Sequence, residues 1–185
     1  MTVTAQDVVG FWRSAGPSRW FDRNEHFDHQ CRSGFLDAHF AAARGEHGDW
    51  VERDAESALA LLILLDQIPR NVFRGSAHSY ATDPLARHYA RRALALGHDQ
   101  RIEPALRAFF YLPFEHSEDI ADQRLSLQLH RALPANADGS DPAQWAQQHL
   151  DLIQRFGRFP HRNAALGRES TAEEQAYLDG GGFKG

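Results

Sequence analysis

The run Ala58–Leu65, with the sequence ALALLILL inside the longer stretch Asp54–Gln67, is apolar nearly all the way round a helix. A helix at a protein surface needs only one apolar stripe, so a segment apolar on every side has to be enclosed by other elements. It is also far shorter than the roughly 20 residues that a membrane span requires. The segment therefore predicts a buried central helix, about Asp54 to Gln67, and the rest of the chain must supply what surrounds it. Elsewhere the apolar spacing is helical and one-sided, with no convincing strand alternation. The expected class is all-α: an antiparallel array of stacked helix hairpins with about seven or eight helices and short connections.

Local signals mark the ends of those helices. Thr4 can cap a first helix through Phe11 and Trp12, which Gly16-Pro17 stops. A second helix, about Asp22 to Arg44, aligns Phe27, Cys31, Phe35, Ala38 and Ala42 on one side. Pro69 is expected to interrupt the central helix, because proline disfavours the α conformation of the residue before it. Thr82 or Asp83 with Pro84 opens the next helix, and Gly97 sits where a left-handed residue ends it. A short helix, Pro104 to Tyr111, is cut by Pro113. Ser117 reads as the cap of a sixth helix, and Asp141-Pro142 with Gln144 as the start of one running to Phe156. A last helix begins at Ser170 or Thr171. The stretch 134–142 is the clearest surface loop. The 185 residues read as a single all-α domain with a loose tail at 180–185. The segment YARRALALG, Tyr89 to Gly97, resembles one helix of a tetratricopeptide pair, although no 34-residue period accompanies it.

Charge and cysteine content exclude several functions. With 20 Lys+Arg against 25 Asp+Glu and a formal net charge of −5, a broad basic surface for nucleic acid is not expected. The single cysteine, Cys31, rules out an intrachain disulfide framework and multi-cysteine metal centres. The N-terminal residues lack a basic and apolar leader pattern, so a cytoplasmic protein with no membrane partner is expected.

Three stretches place polar groups where packing alone would ask for apolar ones. In LLDQIPRN, Asp66 follows Leu59, Leu62 and Ile63 on the buried stripe, where a carboxylate needs a partner. That partner is expected to be Arg155 or Arg158 rather than Arg70, since Pro69 should break the helical path between Asp66 and Arg70. In FFYLPFEHSED, His116 and Ser117 precede a helix start, where backbone N–H groups favour anions. In the stretch from His149 to Asn163, Arg155, Arg158, His161 and Arg162 interleave with Phe156, Phe159 and Pro160, and His149 faces inward. Guanidinium groups held by aromatic packing suit carboxylate or phosphate, or equally a latch on internal acids.

The candidate catalytic residues are therefore Asp66, His116 and His161. The candidate ligand-binding residues are Arg70, Asn71, Ser117, His149, Arg155, Arg158, Arg162 and Asn163. His116, Glu118, His149 and His161 are ligand types for zinc or iron, but the usual helical spacings are missing and no metal or cofactor is expected. His26, His29, His47 and His98 read as surface residues. Cys31, mid-helix on an apolar stripe, reads as an inert small hydrophobe.

The strings ALALLILLDQIPRNVFRG, FFYLPFEHSED followed by Gln123, and RFGRFPHRNAALGRESTAEE resemble the bacterial family catalogued as domain of unknown function 924, over roughly Val8 to Leu178. VVGFW and the pair Trp20-Phe21 fit as well, while Ile68 stands where Phe is common. The resemblance implies a tetratricopeptide-like helical fold and no assigned activity, substrate or cofactor. On the residues, the three stretches are expected to converge on a pocket for a small anionic ligand, with cofactor-free acid–base chemistry. The alternative is a tetratricopeptide-like module for a protein partner, in which the Arg/His/Asp cluster is purely structural.

Overall fold

The computed structural model describes residues 2–135 and 139–184. Helix makes up 68% of it, and no strand occurs among the described residues. The helices are more numerous and shorter than seven or eight, because prolines and glycines cut several expected segments into single turns. The loop expected at 134–142 falls partly on 136–138, outside the described residues.

The chain divides into two compact units, Met1–Arg74 with His78–Pro113, and Gly75–Ala77 with Phe114–Gly185. The first opens with α1 (Ala5–Ala15), whose Thr4 and Asp7 form a reciprocal capping box, and α2 (Pro17–Trp20). α3 (Glu25–Ala43) is capped by Asn24 and buries Phe27, Cys31, Phe35, Ala38 and Ala42. α4 (Trp50–Arg53) leads to α5 (Ala55–Leu62), capped by Asp54. As the all-round apolar pattern requires, every residue from Ala58 to Leu65 is buried. α1, α3, α4 and α7 (Asp83–Ala95) pack around α5 and its continuation. Desolvation pushes the Cys31 thiol up to about 12, so it stays a protonated hydrophobe.

At Pro69 the structure departs from expectation. The chain does not leave the helix there. It widens into a π turn, Ile63–Gln67, and resumes as α6 (Ile68–Val72) with Pro69 in its first turn. A proline lacks the N–H that would bond the carbonyl four residues back. That carbonyl, Leu65 O, accepts the Thr82 hydroxyl instead, and its neighbour Leu64 O accepts His39 Nδ1 at 2.8 Å. The π turn therefore carries the proline because two side chains from α3 and the α7 entry satisfy its carbonyls. His98, expected at the surface, is also buried, with Nε2 2.9 Å from Val51 O.

After α8 (Pro104–Arg107) and α9 (Leu112–Glu115), the second unit consists of α10 (Ile120–Arg131), α11 (Gln144–Phe156) and α12 (Ala172–Asp179). α10 and α11 pack together through Leu127, Ala143, Ala146 and Leu150. Asp119, not Ser117, caps α10, accepting the N–H groups of Ala121 and Asp122. Gly157 ends α11 with φ of 69°, a left-handed conformation that glycine adopts without strain. Thr171 and Glu174 form the capping box that starts α12.

Candidate functional site

In the first unit the π turn gathers Asp66, Arg70 and Asn71. Asp66 Oδ1 lies 3.1 Å from Arg70 Nη1, and the same guanidinium forks onto Asp83 at 2.9 and 3.0 Å. This corrects the expectation that Asp66 would pair with Arg155 or Arg158. Because the helix continues through Pro69, the four-residue spacing to Arg70 survives. Burial opposes the Arg70 charge, but Asp66 and Asp83 together hold its pKa above the ordinary arginine value. Gln67 Nε2 donates to Asp66 Oδ2 at 2.6 Å, and Asn71 Nδ2 donates to Gln67 O at 3.1 Å. Asn71 also borders an open cleft of about 330 Å³ with Asp28, Arg32 and Arg74. There Arg74 bonds both Asp28 and the Asn71 side-chain oxygen. These are interlocked internal pairs.

The second unit divides its predicted residues between a latch and an imidazole cluster. The latch takes Arg155, Arg158 and Asn163. Arg155 pairs with Glu173 at 2.9 Å on the surface, and Arg158 reaches both oxygens of Glu174 at 2.6 and 2.8 Å. The Arg158 contact, with the Thr171 N–H, holds the Glu174 carboxyl down at about 2. Asn163 bridges Ser170 and Glu174 through Nδ2, and its oxygen accepts Arg168 Nε. Arg168 in turn forks onto Glu118, whose carboxylate also accepts the Phe159 N–H at 2.8 Å. Arg155 and Arg158 border a cleft of about 520 Å³, with Glu173 and Glu174 as its other charged walls. Ser117 is likewise committed internally: its hydroxyl donates to Asp122 at 2.8 Å and accepts the Asp119 N–H at 3.2 Å.

The cluster consists of His116, His130, His149 and His161 around Glu115 and Phe159. Glu115, 4% exposed, lies 3.3 Å from His149 Nδ1 and 3.6 Å from His130 Nε2. His149 Nδ1 is also 2.8 Å from Trp145 O, four residues back on α11. The His149 ring sits 6.4 Å from that of His116 and 5.3 Å from Phe159. His161 lies 5.5 Å from Phe159. Arg162 donates to His116 O at 3.0 Å and spreads its guanidinium 4.5 Å above the Phe159 ring. Phe159 thus touches two imidazoles and a guanidinium.

Burial lowers two of the imidazoles, His161 and His130. Burial, followed by the charges of Arg162, His149 and His116, pushes His161 down to about 3, so it is neutral at physiological pH. Burial likewise lowers His130 to about 4. His161 Nδ1 is buried and has no hydrogen-bond partner, a costly state for a polar atom. No group of three or more His, Cys, Asp or Glu among the described residues is arranged to hold a metal ion.

Several members of this site escaped the sequence reading. His130 sits on an expected helix and Glu115 in the proline-broken link before it, with nothing to mark either as a partner. Of the latch acids, Glu118 is named from the sequence only as a metal-ligand type and Glu174 belongs to a helix-start pattern, and neither reading points to a distant arginine. Phe183, in the glycine-rich tail, packs its ring 4.9 Å from His149 and 5.2 Å from His161, and only its large apolar side chain among small residues hinted at this.

Comparison with known proteins agrees with the architecture and leaves the chemistry open. Among curated proteins none matches the chain. It is similar to a solved structure of a protein of unknown function from Agrobacterium tumefaciens, at 53% identity and a TM-score of 0.88, over 95% of this chain and 97% of that one. Residues 8–182 match the family described as "Bacterial protein of unknown function (DUF924)". The match spans all three polar stretches, and the chain belongs to that family of bacterial proteins.

Proposed function

We propose that the second unit binds a small anionic ligand at its imidazole cluster, with His161 and Arg162 as the principal contacts and His116 and His149 beside them. The observation that carries this reading is the buried, unpartnered Nδ1 of a neutral His161, set next to a guanidinium whose charge helps keep that imidazole neutral. A neutral imidazole offers one donor and one acceptor, and an adjacent Arg supplies the charge that an anion needs. Asp66, Arg70 and Asn71 then stabilise the first unit, and Arg155, Arg158 and Asn163 stabilise the second. Acid–base chemistry without a cofactor falls to His116 with Glu115 and His149, since His161 holds a proton too weakly to shuttle it at neutral pH.

A second reading, a stacked tetratricopeptide-like module whose polar cluster is purely structural, is favoured by the internal pairing of Arg155, Arg158 and Arg168. Thermal-shift and calorimetric titration with phosphate, sulfate and small carboxylates separates the two. The expected result is saturable binding that is lost in His161→Ala and Arg162→Lys but kept in Arg155→Ala, whose exposed pair is worth at most about 1 kcal/mol. If none of these anions binds the folded wild-type protein, the structural reading replaces the ligand reading.

A further inference from the structure

Phe183 reaches the imidazole cluster by a backbone path that depends on glycine. Gly181 has φ of 82°, a left-handed conformation that side chains resist. At Gly182 an added Cβ would stand 2.5 Å from two ring carbons of Tyr177 and 2.6 Å from the Tyr177 carbonyl, so only glycine fits. Along this strap the N–H groups of Gly180, Gly181 and Gly182 donate to the carbonyls of Ala176, Leu178 and Tyr177, and the Phe183 N–H donates to the Tyr177 hydroxyl at 2.8 Å. The Phe183 ring is set near-perpendicular to His149 and His161, interplanar angles 72° and 84°, and lies 6.3 Å from Trp145. Trp145 itself is 56% exposed, so the slot opens to solvent on that side.

An aromatic ring packed near-perpendicular to two imidazoles and against an indole, next to a buried polar nitrogen, is the arrangement in which a planar ligand would sit. The glycines before Phe183 are held by their backbone alone, so the Phe183 ring is the one side chain by which this stretch fills the slot, and a ring rotating out of it breaks none of those backbone bonds. The Phe183 side chain has no polar group to offer His161 Nδ1. A ligand that carries both a ring and an anionic group could replace the ring and also supply that partner.

We propose that Phe183 is an exchangeable occupant of the slot lined by Trp145, His149 and His161, and that the ligand class of this site is an anion bearing a planar aromatic ring, which displaces Phe183. This rests on the anion-binding reading above, with the strap now setting both the shape of the ligand and its access.

Benzoate and acetate differ by the ring alone, so the test is calorimetric titration of each into the wild-type protein, Phe183→Ala and Phe183→Leu. The expected result is benzoate binding at least about tenfold tighter in Phe183→Ala than in wild type, the loss of one competing aromatic contact set, with acetate unchanged between them. Phe183→Leu keeps the apolar cover and should fall between, and it carries the test if Phe183→Ala does not fold. If both anions bind with the same affinity in wild type and variants, the anion reading stands and the exchangeable strap is overturned. If neither binds any of the three folded proteins, both are overturned.

Discussion

Arg70 shows how one side chain can hold a helix irregularity in place. It bonds the Asp66 carboxylate and backbone carbonyl, and forks onto Asp83 at the start of α7. Removing the shared cation takes the arginine from two buried carboxylates at once, whereas removing Asp66 leaves the Arg70–Asp83 pair intact. Arg70→Ala is therefore expected to cost about 3–5 kcal/mol, and Asp66→Asn clearly less. Denaturant unfolding of both variants checks the order, and an equal cost would mean that Asp83 does not share the charge. That Asp66 is buried and ion-paired was legible from its place on the apolar stripe. The choice of partner was not, because it depends on whether Pro69 ends the helix, and this is decided by residues distant in sequence.

The element that decides it is the π turn. Pro69 removes an N–H, and the Leu65 carbonyl accepts the Thr82 hydroxyl, while His39 serves Leu64. Thr82→Val keeps the shape and removes the donor, so it should destabilise the fold by about 1–3 kcal/mol. A variant as stable as wild type would show that the carbonyl is satisfied without Thr82. Helices whose signals are local were legible from the sequence. The Thr4 cap, the buried face of α3 and the helix start at Thr171 were read this way, whereas the Asn24 cap and the Gly157 stop, equally local, were not. Ser117 misled for an instructive reason. Serine and aspartate both cap well, and Asp119 lies two residues on, so α10 starts from Asp119 while Ser117 turns inward to Asp122.

For the molecule as a whole, the buried imidazoles make stability fall as the solution turns acid. In the unfolded chain His130 and His161 protonate near the ordinary histidine value of 6.5, whereas in the folded chain burial holds them neutral down to about 4 and about 3. Below that ordinary value the unfolded state binds more protons, so stability must fall as pH falls and is fully present above it. At about pH 5, unfolding should take up between about one and two protons from these groups, readable as the slope of unfolding free energy against pH. A flat profile between about pH 4 and 6 would contradict it. The latch arginines were legible as a charged and aromatic pattern, but their acids were not, because Glu118 and Glu174 already had local explanations. The imidazole cluster was legible in His116, His149 and His161 and hidden in Glu115, His130 and Phe183. The most direct test is a nitrogen-15 NMR titration of the histidine rings, with and without phosphate. The expected spectrum shows His161 neutral from about pH 7 down to about pH 4, with its Nδ1 signal shifting when phosphate is added and not in Arg162→Lys. A His161 that titrates at the ordinary histidine value and ignores phosphate would contradict the site.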